Sequence, residues 1–283
     1  MKISTKDILK HIEILQAYSY FDIELTANCN LKCFFCPRDQ IVRNNWFMTE
    51  DLIDILINWL PEKSSIMFSG LGEPLLNDNL LEIVKNISNG NRKIGITTNG
   101  QLLTEKFIEQ IERSKLDFLQ ISINELDNKK YKVISGGTSN KVLLKNIDLL
   151  YEKGIHNKLE LQYSFVKNTI SDNKEQAEFS NKYNAKYFQK VIHNRGGYLC
   201  LESSKRFNKC FMFSQITFID CDGNILFCCH DLGSKTILGN IKTNSFDDIL
   251  NKKINIIREN KWTKNCNICN DVGREAIINP DVL

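Results

Sequence analysis

Hydrophobic residues recur with a period of two in some segments of the chain and with a helical period in others. Strand-like patterns, either alternating or continuously apolar, cover 20–26, 65–69, 93–98, 117–123, 159–166 and 187–192. Between those strands, helical periodicity covers 48–60, 78–87, 104–114, 140–153 and 172–183. Such βα repeats require parallel strands joined by right-handed crossovers. A closed eight-stranded barrel typically needs about 250 residues, so the pattern predicts an α/β fold with a partial (β/α)6, TIM-like barrel.

The pattern changes after Gly196. Two short apolar segments around an Asp-Gly turn predict a β-hairpin at 215–227, and a helix is predicted at 245–260. We therefore expect a barrel domain over 1–197 and a small β-hairpin plus helix extension over 198–283.

Composition and charge place the chain among ordinary globular proteins. It has 283 residues, of which 25% are charged and 42% hydrophobic, and its net charge is +3. That charge is too balanced to favour nucleic acid or a membrane surface as a partner. No apolar stretch approaches the ~18 residues of a membrane span, and residues 1–20 lack the continuous apolar core of a secretory signal. These features predict a cytoplasmic protein that binds neither nucleic acid nor membrane.

Ten cysteines in such a chain indicate metal ligands or catalytic groups, because disulfides are rare in a reducing compartment. They fall into two groups separated by a long cysteine-free stretch. The two groups are Cys29, Cys33 and Cys36, and then Cys200, Cys210, Cys221, Cys228, Cys229, Cys266 and Cys269. This division predicts two metal sites. The first group directly follows the first predicted strand, where parallel α/β folds carry their chemistry.

The first group has the spacing Cys-x3-Cys-x2-Cys. A zinc site normally needs a fourth ligand nearby, and no other Cys or His lies between His11 and His156. Three thiolate ligands to a [4Fe–4S] cluster leave one iron open for a small molecule. A group of buried cysteines or part of a zinc knuckle is the alternative.

The spacing and its place after the first strand resemble the radical S-adenosylmethionine (SAM) superfamily. The resemblance covers roughly 20–195 and includes an aromatic residue, Phe35, before the last cysteine. It implies that Cys29, Cys33 and Cys36 hold a [4Fe–4S] cluster whose open iron binds the amino and carboxylate groups of SAM. One electron then cleaves SAM to a 5′-deoxyadenosyl radical, which abstracts a hydrogen atom from the substrate. An external one-electron reductant of the flavodoxin or ferredoxin type is implied as a partner.

Further residues match the SAM-binding elements of that family. Gly72, Glu73 and Pro74 resemble its Gly-Gly-Glu-Pro element, with Leu71 in place of the first glycine. The resemblance implies that they contact the SAM amino group, largely through the backbone. Asn99 lies in a Thr-Asn-Gly sequence that recurs after the third strand of the family, and a purely structural turn is the alternative there.

Polar residues in the fourth and fifth strands complete the SAM-binding candidates. Strand alternation puts Ser122 and Asn124 on one face, and likewise Gln162 and Ser164. The resemblance implies contacts from Ser122 and Asn124 to the SAM carboxylate or ribose, and from Gln162 to the ribose. The alternative is that small polar side chains inside the barrel satisfy one another.

The second group of cysteines resembles the C-terminal SPASM/Twitch extension of radical SAM enzymes, over roughly 200–272. No cysteine follows Cys269, so the resemblance implies one auxiliary [4Fe–4S] cluster, held by Cys210, Cys228, Cys266 and Cys269. A structural zinc ribbon is the alternative, because four cysteines in two groups also suit tetrahedral zinc.

Neighbouring residues of a strand point to opposite faces, so only one of Cys228 and Cys229 should be a ligand. The spacing from the hairpin glycine, Gly223, selects Cys228. The sequence does not assign the catalytic residues. Candidates for a base near the sixth strand or for a hydrogen donor are Lys190, His193, Arg195, Cys200 and Cys221.

Small radical SAM enzymes with one auxiliary cluster include dehydrogenases of amino sugars or aminocyclitols. The resemblance favours this reaction, with the auxiliary cluster as electron acceptor. One alternative is a peptide-modifying maturase that epimerises or crosslinks its substrate, which the short segment before the first strand disfavours. A sugar epimerase with a cysteine hydrogen donor is another, and a non-catalytic iron–sulfur carrier would have no use for the open iron. The predicted substrate is therefore a small molecule or a peptide.

Overall fold

A computed structural model describes residues 4–17, 19–88, 91–167, 170–201 and 210–277. The strands in these ranges are β1 (Tyr20–Ile23), β2 (Lys63–Phe68), β3 (Asn91–Thr98), β4 (Phe118–Asn124), β5 (Glu160–Val166), β6 (Lys186–Lys190), β7 (Ile216–Ile219), β8 (Asn224–Leu226) and β9 (Ile237–Asn240). The α-helices are α1 (Thr5–Ala17), α2 (Glu50–Trp59), α3 (Leu80–Ile87), α4 (Glu105–Arg113), α5 (Asn128–Ser135), α6 (Lys141–Glu152), α7 (Ile170–Lys182), α8 (Met212–Gln215), α9 (Phe246–Arg258) and α10 (Lys264–Ile268). Within the described ranges, no helix combines the length and the apolar character needed to cross a membrane.

The first six strands form a parallel sheet in sequential order, from β1 to β6. Phe21, Ile66 and Ile94 lie side by side in register on three of these strands, and all three are buried. Helices cover the outer face of a parallel sheet, which explains such apolar positions. The sheet is not closed, and the predicted partial barrel is confirmed.

Side-chain caps begin helices α4 and α9. In α4, the Thr104 hydroxyl accepts a hydrogen bond from Phe107 N (3.3 Å), and Ile108 is buried under the helix. In α9, Ser245 and Asp248 form a reciprocal capping box that satisfies two otherwise unpaired backbone donors. These caps fix where each helix leaves the preceding loop.

The C-terminal extension continues the same sheet. β7 pairs in parallel with β1, and β8 and β9 follow in antiparallel order. The predicted hairpin is confirmed, whereas the pattern does not predict β9, because this four-residue strand contains Gly239 and Asn240, both poor strand formers. The sheet runs through both predicted domains, and their division at residue 197 stays a prediction.

The first strand is shorter than the predicted 20–26. It ends at Ile23, although Glu24 N still donates to Ile219 O of β7 (2.9 Å). Thr26 then forms an antiparallel bridge with Phe47. This bridge turns the chain away from the sheet, and the loop with the first cysteines starts at the carboxyl end of β1.

Candidate active site

The first three cysteines lie in the loop after β1. The loop is held by backbone hydrogen bonds to the end of α5, and Leu31 N donates to Cys29 Sγ (3.5 Å). Burial, together with repulsion from the other two thiols, raises the pKa of Cys33 to about 12. Cys33 is thus a thiol in the absence of a metal, and ligation would release its proton.

The predicted Gly-Glu-Pro element packs directly against this loop. Glu73 N donates to Asn28 O (2.7 Å), and a Cβ atom on Gly72 would lie 2.0 Å from Thr26 O. Pro74 is buried and opens a short 3-10 turn. Only glycine therefore permits the close approach of the two loops at position 72.

The Glu73 side chain joins this element to the end of β3. Its carboxylate accepts hydrogen bonds from Thr98 Oγ1 (2.6 Å), Asn99 N (2.7 Å) and Leu75 N (3.1 Å). Burial raises the pKa of Glu73 to about 7, against the lowering effect of these donors. Asn99 Nδ2 donates to Asn30 Oδ1 (2.7 Å) and lies 3.9 Å from Cys29 Sγ. The structure thus brings the Thr-Asn-Gly and Gly-Glu-Pro elements to the cysteine loop.

Replacing Gly72 with alanine should displace the cysteine loop, because the new methyl group would overlap backbone oxygens rather than mobile side chains. We expect a loss of about 3 kcal/mol in the free energy of unfolding, the upper end for overpacking, and weaker SAM binding. Chemical denaturation and SAM titration of the reconstituted protein measure the two effects. Gly154→Ala is the control, since its nearest neighbour is 3.7 Å away and only its φ of 71° opposes a side chain. Wild-type SAM affinity in Gly72→Ala would contradict the prediction.

The polar candidates of β4 and β5 lie at different distances from the carboxyl ends of their strands. Asn124 ends β4 with a left-handed φ of 64° after a register shift, so simple alternation from Ser122 does not hold there. The Asn124 side chain is buried, and its Oδ1 atom has no hydrogen-bond partner among the described residues. Ser122 instead accepts a 3.4 Å hydrogen bond from Ser164 Oγ, which matches the alternative interpretation. Gln162 pairs in register with Gln120, farther from the carboxyl edge, and the SAM contacts of all three stay predictions.

The four cysteines assigned to the second site line one small apolar cavity. Cys210 precedes α8, Cys266 lies in α10, Cys269 follows it, and Cys228 comes two residues after β8. Burial raises the pKa of Cys210 to about 11 and also raises that of Cys228. Arg274 Nη1 donates to the carbonyl oxygens of Cys266 (2.8 Å) and Cys269 (3.0 Å) and fixes this turn.

Cys229 lines a different cavity from Cys228. It lines a separate cavity of about 130 Å³ together with Cys36 of the first group, and its Sγ is 3.2 Å from Met212 Sδ. The chain has already left β8, which ends at Leu226, so the divergence of Cys228 and Cys229 arises in a bend rather than from strand alternation. The ligand role of Cys228 remains a prediction.

This second cavity, called here the central cavity, lies between the two cysteine groups. Its polar lining is formed by Asp22 and Glu24 of the β1 segment, Ser69 after β2, Asp220 after β7, and Arg195. Burial raises the pKa of the Asp22 carboxyl to about 6, against the lowering effect of its hydrogen bond from Ser69, with a smaller contribution from the Glu24 charge. The central cavity therefore joins Cys36 of the first group to the polar side chains of the β1 and β7 segments.

The catalytic candidates named from the sequence lie in different parts of the structure. Arg195 lines the central cavity, and Lys190 Nζ stacks 5.1 Å from the Phe35 ring centroid beside the first cysteines. Phe35 itself is buried. Cys200 is exposed, and the buried Cys221 donates to Asn45 O (3.0 Å) away from the cavity lining. The roles of these residues stay unassigned.

His193 belongs to a buried polar group beside the second site. His230 Nε2 bonds Asp271 Oδ2 (2.7 Å), and His193 Nε2 lies 3.7 Å from the same oxygen. Burial lowers the pKa of His193 to about 3, so its imidazole is neutral. Asn194 also donates to Ile268 O (2.6 Å). These contacts tie the loop that carries Arg195 to the second cysteine site.

Sequence reasoning missed Asp22 and Cys229 as lining residues. For Asp22 the signal was present, because Asp22 and Glu24 alternate with the apolar Phe21, Ile23 and Leu25 along the first strand. A polar row on a buried parallel strand must face an interior cavity. No comparable signal distinguishes Cys229, since its direction depends on the bend after β8.

The residues present fit the predicted groups. Three thiols in one loop suit a cluster with an open iron, and four thiols around one apolar cavity suit a fully protein-ligated cluster. The buried Asn124 Oδ1 is an acceptor that an amino or hydroxyl group of SAM could satisfy.

Comparisons with known proteins agree with this arrangement. The family model of the radical SAM superfamily matches residues 23–172, and the SPASM model, an iron–sulfur cluster-binding domain, matches residues 210–270. The curated relatives include a probable GTP 3′,8-cyclase of Methanococcus vannielii, 40% identical over 126 residues, which are 43% of this chain and 42% of that protein. A second probable GTP 3′,8-cyclase, from Methanococcus aeolicus, is 33% identical over 52% of this chain and 50% of its own length. The chain thus spans about half the length of these relatives or less.

Solved structures share the fold along most of the chain. BtrN in complex with AdoMet and 2-DOIA has a TM-score of 0.63 and 21% identity, covering 92% of this chain and 95% of its own. SuiB of Streptococcus suis bound to the precursor peptide SuiA has a TM-score of 0.67 and 18% identity, covering 87% of this chain and 68% of its own. At these identities the similarity concerns the fold alone.

Proposed function

Because the chain belongs to the radical SAM superfamily and carries a SPASM domain, we propose that it dehydrogenates a small molecule of the amino-sugar or aminocyclitol type. The reaction would remove one hydrogen atom, one proton and one electron from a carbinol group and leave a carbonyl. The nearly complete mutual coverage with BtrN, which was solved with AdoMet and 2-DOIA, supports this class of substrate. The match to the GTP cyclases covers less than half of this chain in the case of the Methanococcus vannielii protein, so it supports GTP as the substrate less strongly.

The protein uses a [4Fe–4S] cluster, SAM and an auxiliary iron–sulfur cluster. We assign the first cluster to Cys29, Cys33 and Cys36, and the auxiliary cluster to the four cysteines around the apolar cavity. When bound, these groups supply the 5′-deoxyadenosyl radical and a one-electron acceptor. Around them, the chain positions the cysteine loop through Glu73 and Asn99 and encloses the substrate in the central cavity.

The observation that carries the proposal is that two adjacent residues line two different cavities. Cys228 lines the cavity with the auxiliary thiols, and Cys229 lines the central cavity with Cys36. One peptide unit therefore separates a substrate from an electron acceptor. A dehydrogenase needs this proximity because a substrate radical must lose its second electron before it is quenched.

Cys229 also favours a second candidate, a redox-neutral epimerase. Its thiol could give a hydrogen atom to the substrate radical from the face opposite to the first abstraction. The resulting thiyl radical would then take one electron and one proton, the electron coming from the external reductant. Of the cysteines outside the two predicted ligand sets, Cys229 lines the central cavity, whereas Cys200 and Cys221 do not.

Turnover in D2O distinguishes the candidates. The reconstituted, reduced enzyme is incubated with SAM and with 2-DOIA, glucosamine or GTP, and the products are analysed by mass spectrometry. A dehydrogenase gives 5′-deoxyadenosine and a product lacking two hydrogens. An epimerase gives a product with an unchanged number of hydrogen atoms, in which one carbon-bound hydrogen is replaced by solvent deuterium. Consumption of GTP, with no reaction of the amine substrates, would overturn the proposal.

The proposed reaction also implies an electron-donating partner protein and a reducing compartment. The substrate is a small molecule, and a flavodoxin or ferredoxin type of protein supplies the electrons. All ten cysteines are free, which suits the reducing cytoplasm. We expect the iron–sulfur sites to be assembled there.

A further inference from the structure

We propose that Asp22 binds the ammonium group of the substrate in the central cavity and thereby selects amines over neutral polyols. The proposal rests on the proposed function, because it specifies what an amino-sugar or aminocyclitol type of substrate would contact. It also makes a prediction about binding that needs no turnover.

Asp22 is placed in the cavity by the geometry of β1. It lies in register between Met67 of β2 and Phe218 of β7, in the middle of the sheet, and its side chain reaches the cavity lining. The Ser69 hydroxyl donates a hydrogen bond to Asp22 Oδ1. That bond orients the carboxylate and leaves its second oxygen available to a ligand.

The other carboxylates of the cavity are already satisfied. Glu24 accepts from Arg43 Nε (2.8 Å) and from Leu71 N (2.9 Å). Asp220 accepts from two backbone N–H groups and from side chains of Asn224 (3.2 Å) and Ser234 (3.1 Å). Both carboxylates therefore support the protein structure, and Asp22 is left as the recognition group.

The Glu24 carboxylate beside Asp22 favours a cation there, and Arg195, which also lines the cavity, forms no ion pair with Asp22 among the described residues. The groups that face it or share its cavity are Tyr20, Glu24, Asp220, Arg195, Cys36 and Cys229. Among the described residues, no basic side chain forms an ion pair with Asp22, and Arg43 is engaged by Glu24 and by Leu232 O (2.6 Å). Asp22 is half-buried and desolvated. A desolvated carboxylate without a cation is costly, and a ligand ammonium group would remove that cost.

An ammonium group gains more from this site than a hydroxyl group does. A charge-assisted hydrogen bond is roughly twice as strong as a neutral one. A hydroxyl in the same place would leave the carboxylate charge uncompensated. We expect a preference of about tenfold or more for an amine over the hydroxyl compound of the same shape.

The test measures binding to the unreduced, SAM-loaded holoenzyme, so that no radical forms. Glucosamine and glucose are the probes, since they differ at one position by an amine against a hydroxyl, and isothermal titration calorimetry gives both affinities. Wild-type protein should prefer glucosamine about tenfold or more, and Asp22→Asn should bind both sugars equally. Asp54→Asn removes an exposed carboxylate of α2 and should keep the preference. Iron content and SAM affinity establish that each variant is folded and loaded.

A pH titration of the wild type provides a test that does not depend on the variant. The preference for glucosamine should be present above the pKa of Asp22, about 6, and should be lost as the pH falls through it, because the carboxyl is then neutral. Equal affinity for both sugars, binding of neither, or an undiminished preference in Asp22→Asn would overturn the proposal. A clear preference in an enzyme that gives no oxidised product would instead overturn the proposed dehydrogenation and leave the role of Asp22 standing.

Discussion

Changing Cys29, Cys33 and Cys36 together to alanine should halve the iron content and abolish SAM cleavage. The anaerobically reconstituted wild type should hold about eight irons, four in each [4Fe–4S] cluster, and the triple variant about four. The remaining iron would be held by the separate auxiliary cavity, which shares no thiol with the first loop. Iron analysis and the yield of 5′-deoxyadenosine after reduction measure the two effects.

The control is Cys200→Ala, which removes an exposed thiol outside both sites and should retain all the iron. Eight irons in the triple variant would refute the assignment of the first cluster. Four irons with one equivalent of zinc in the wild type would instead support the zinc ribbon at the second site.

Among variants of the C-terminal extension, Cys228→Ala should reduce the iron content most, and Cys229→Ala is its matched control. Removing Cys228 takes one of four thiols from the apolar cavity, so the auxiliary cluster should be lost or weakened and the iron content should fall toward about four. Cys229 lines the central cavity instead, so its variant should retain both clusters. Iron analysis, ultraviolet–visible spectra and electron paramagnetic resonance of the reduced proteins measure the difference.

The same pair of variants discriminates between the two candidate reactions. In a dehydrogenase, Cys228→Ala should still cleave SAM but lose net oxidation, because the substrate radical has no electron acceptor. In an epimerase, Cys229→Ala should keep both clusters and SAM cleavage and lose incorporation of solvent deuterium. Should Cys229→Ala remove the cluster while Cys228→Ala keeps it, the assignment of the ligand is wrong by one residue.

The alternation of periods along the chain was sufficient to predict the six parallel strands and the open barrel, because each βα unit buries its own apolar stripe. The predicted hairpin and the Ser245 cap follow from equally local chemistry, an Asp-Gly turn and a hydroxyl that accepts a backbone N–H. The spacing of Cys29, Cys33 and Cys36 is local as well, and a single loop carries all three. Such features could be predicted because the interacting residues are close in sequence.

The remaining features depend on contacts between distant segments. β7 pairs with β1 and so joins the extension to the barrel sheet, across almost 200 positions of the chain. The sequence pattern does not select this pairing, because the free edge of either strand could have paired with another segment. The register shift at Asn124 and the bend at Cys229 depend on neighbouring strands and on packing, so period counting could not predict them. The sequence by itself determined the chemistry, three thiols, four more thiols and a Gly-Glu-Pro element. Only the tertiary structure decided which side chains line the central cavity, because the direction of Asp22, Arg195 and Cys229 is set by the elements packed around them.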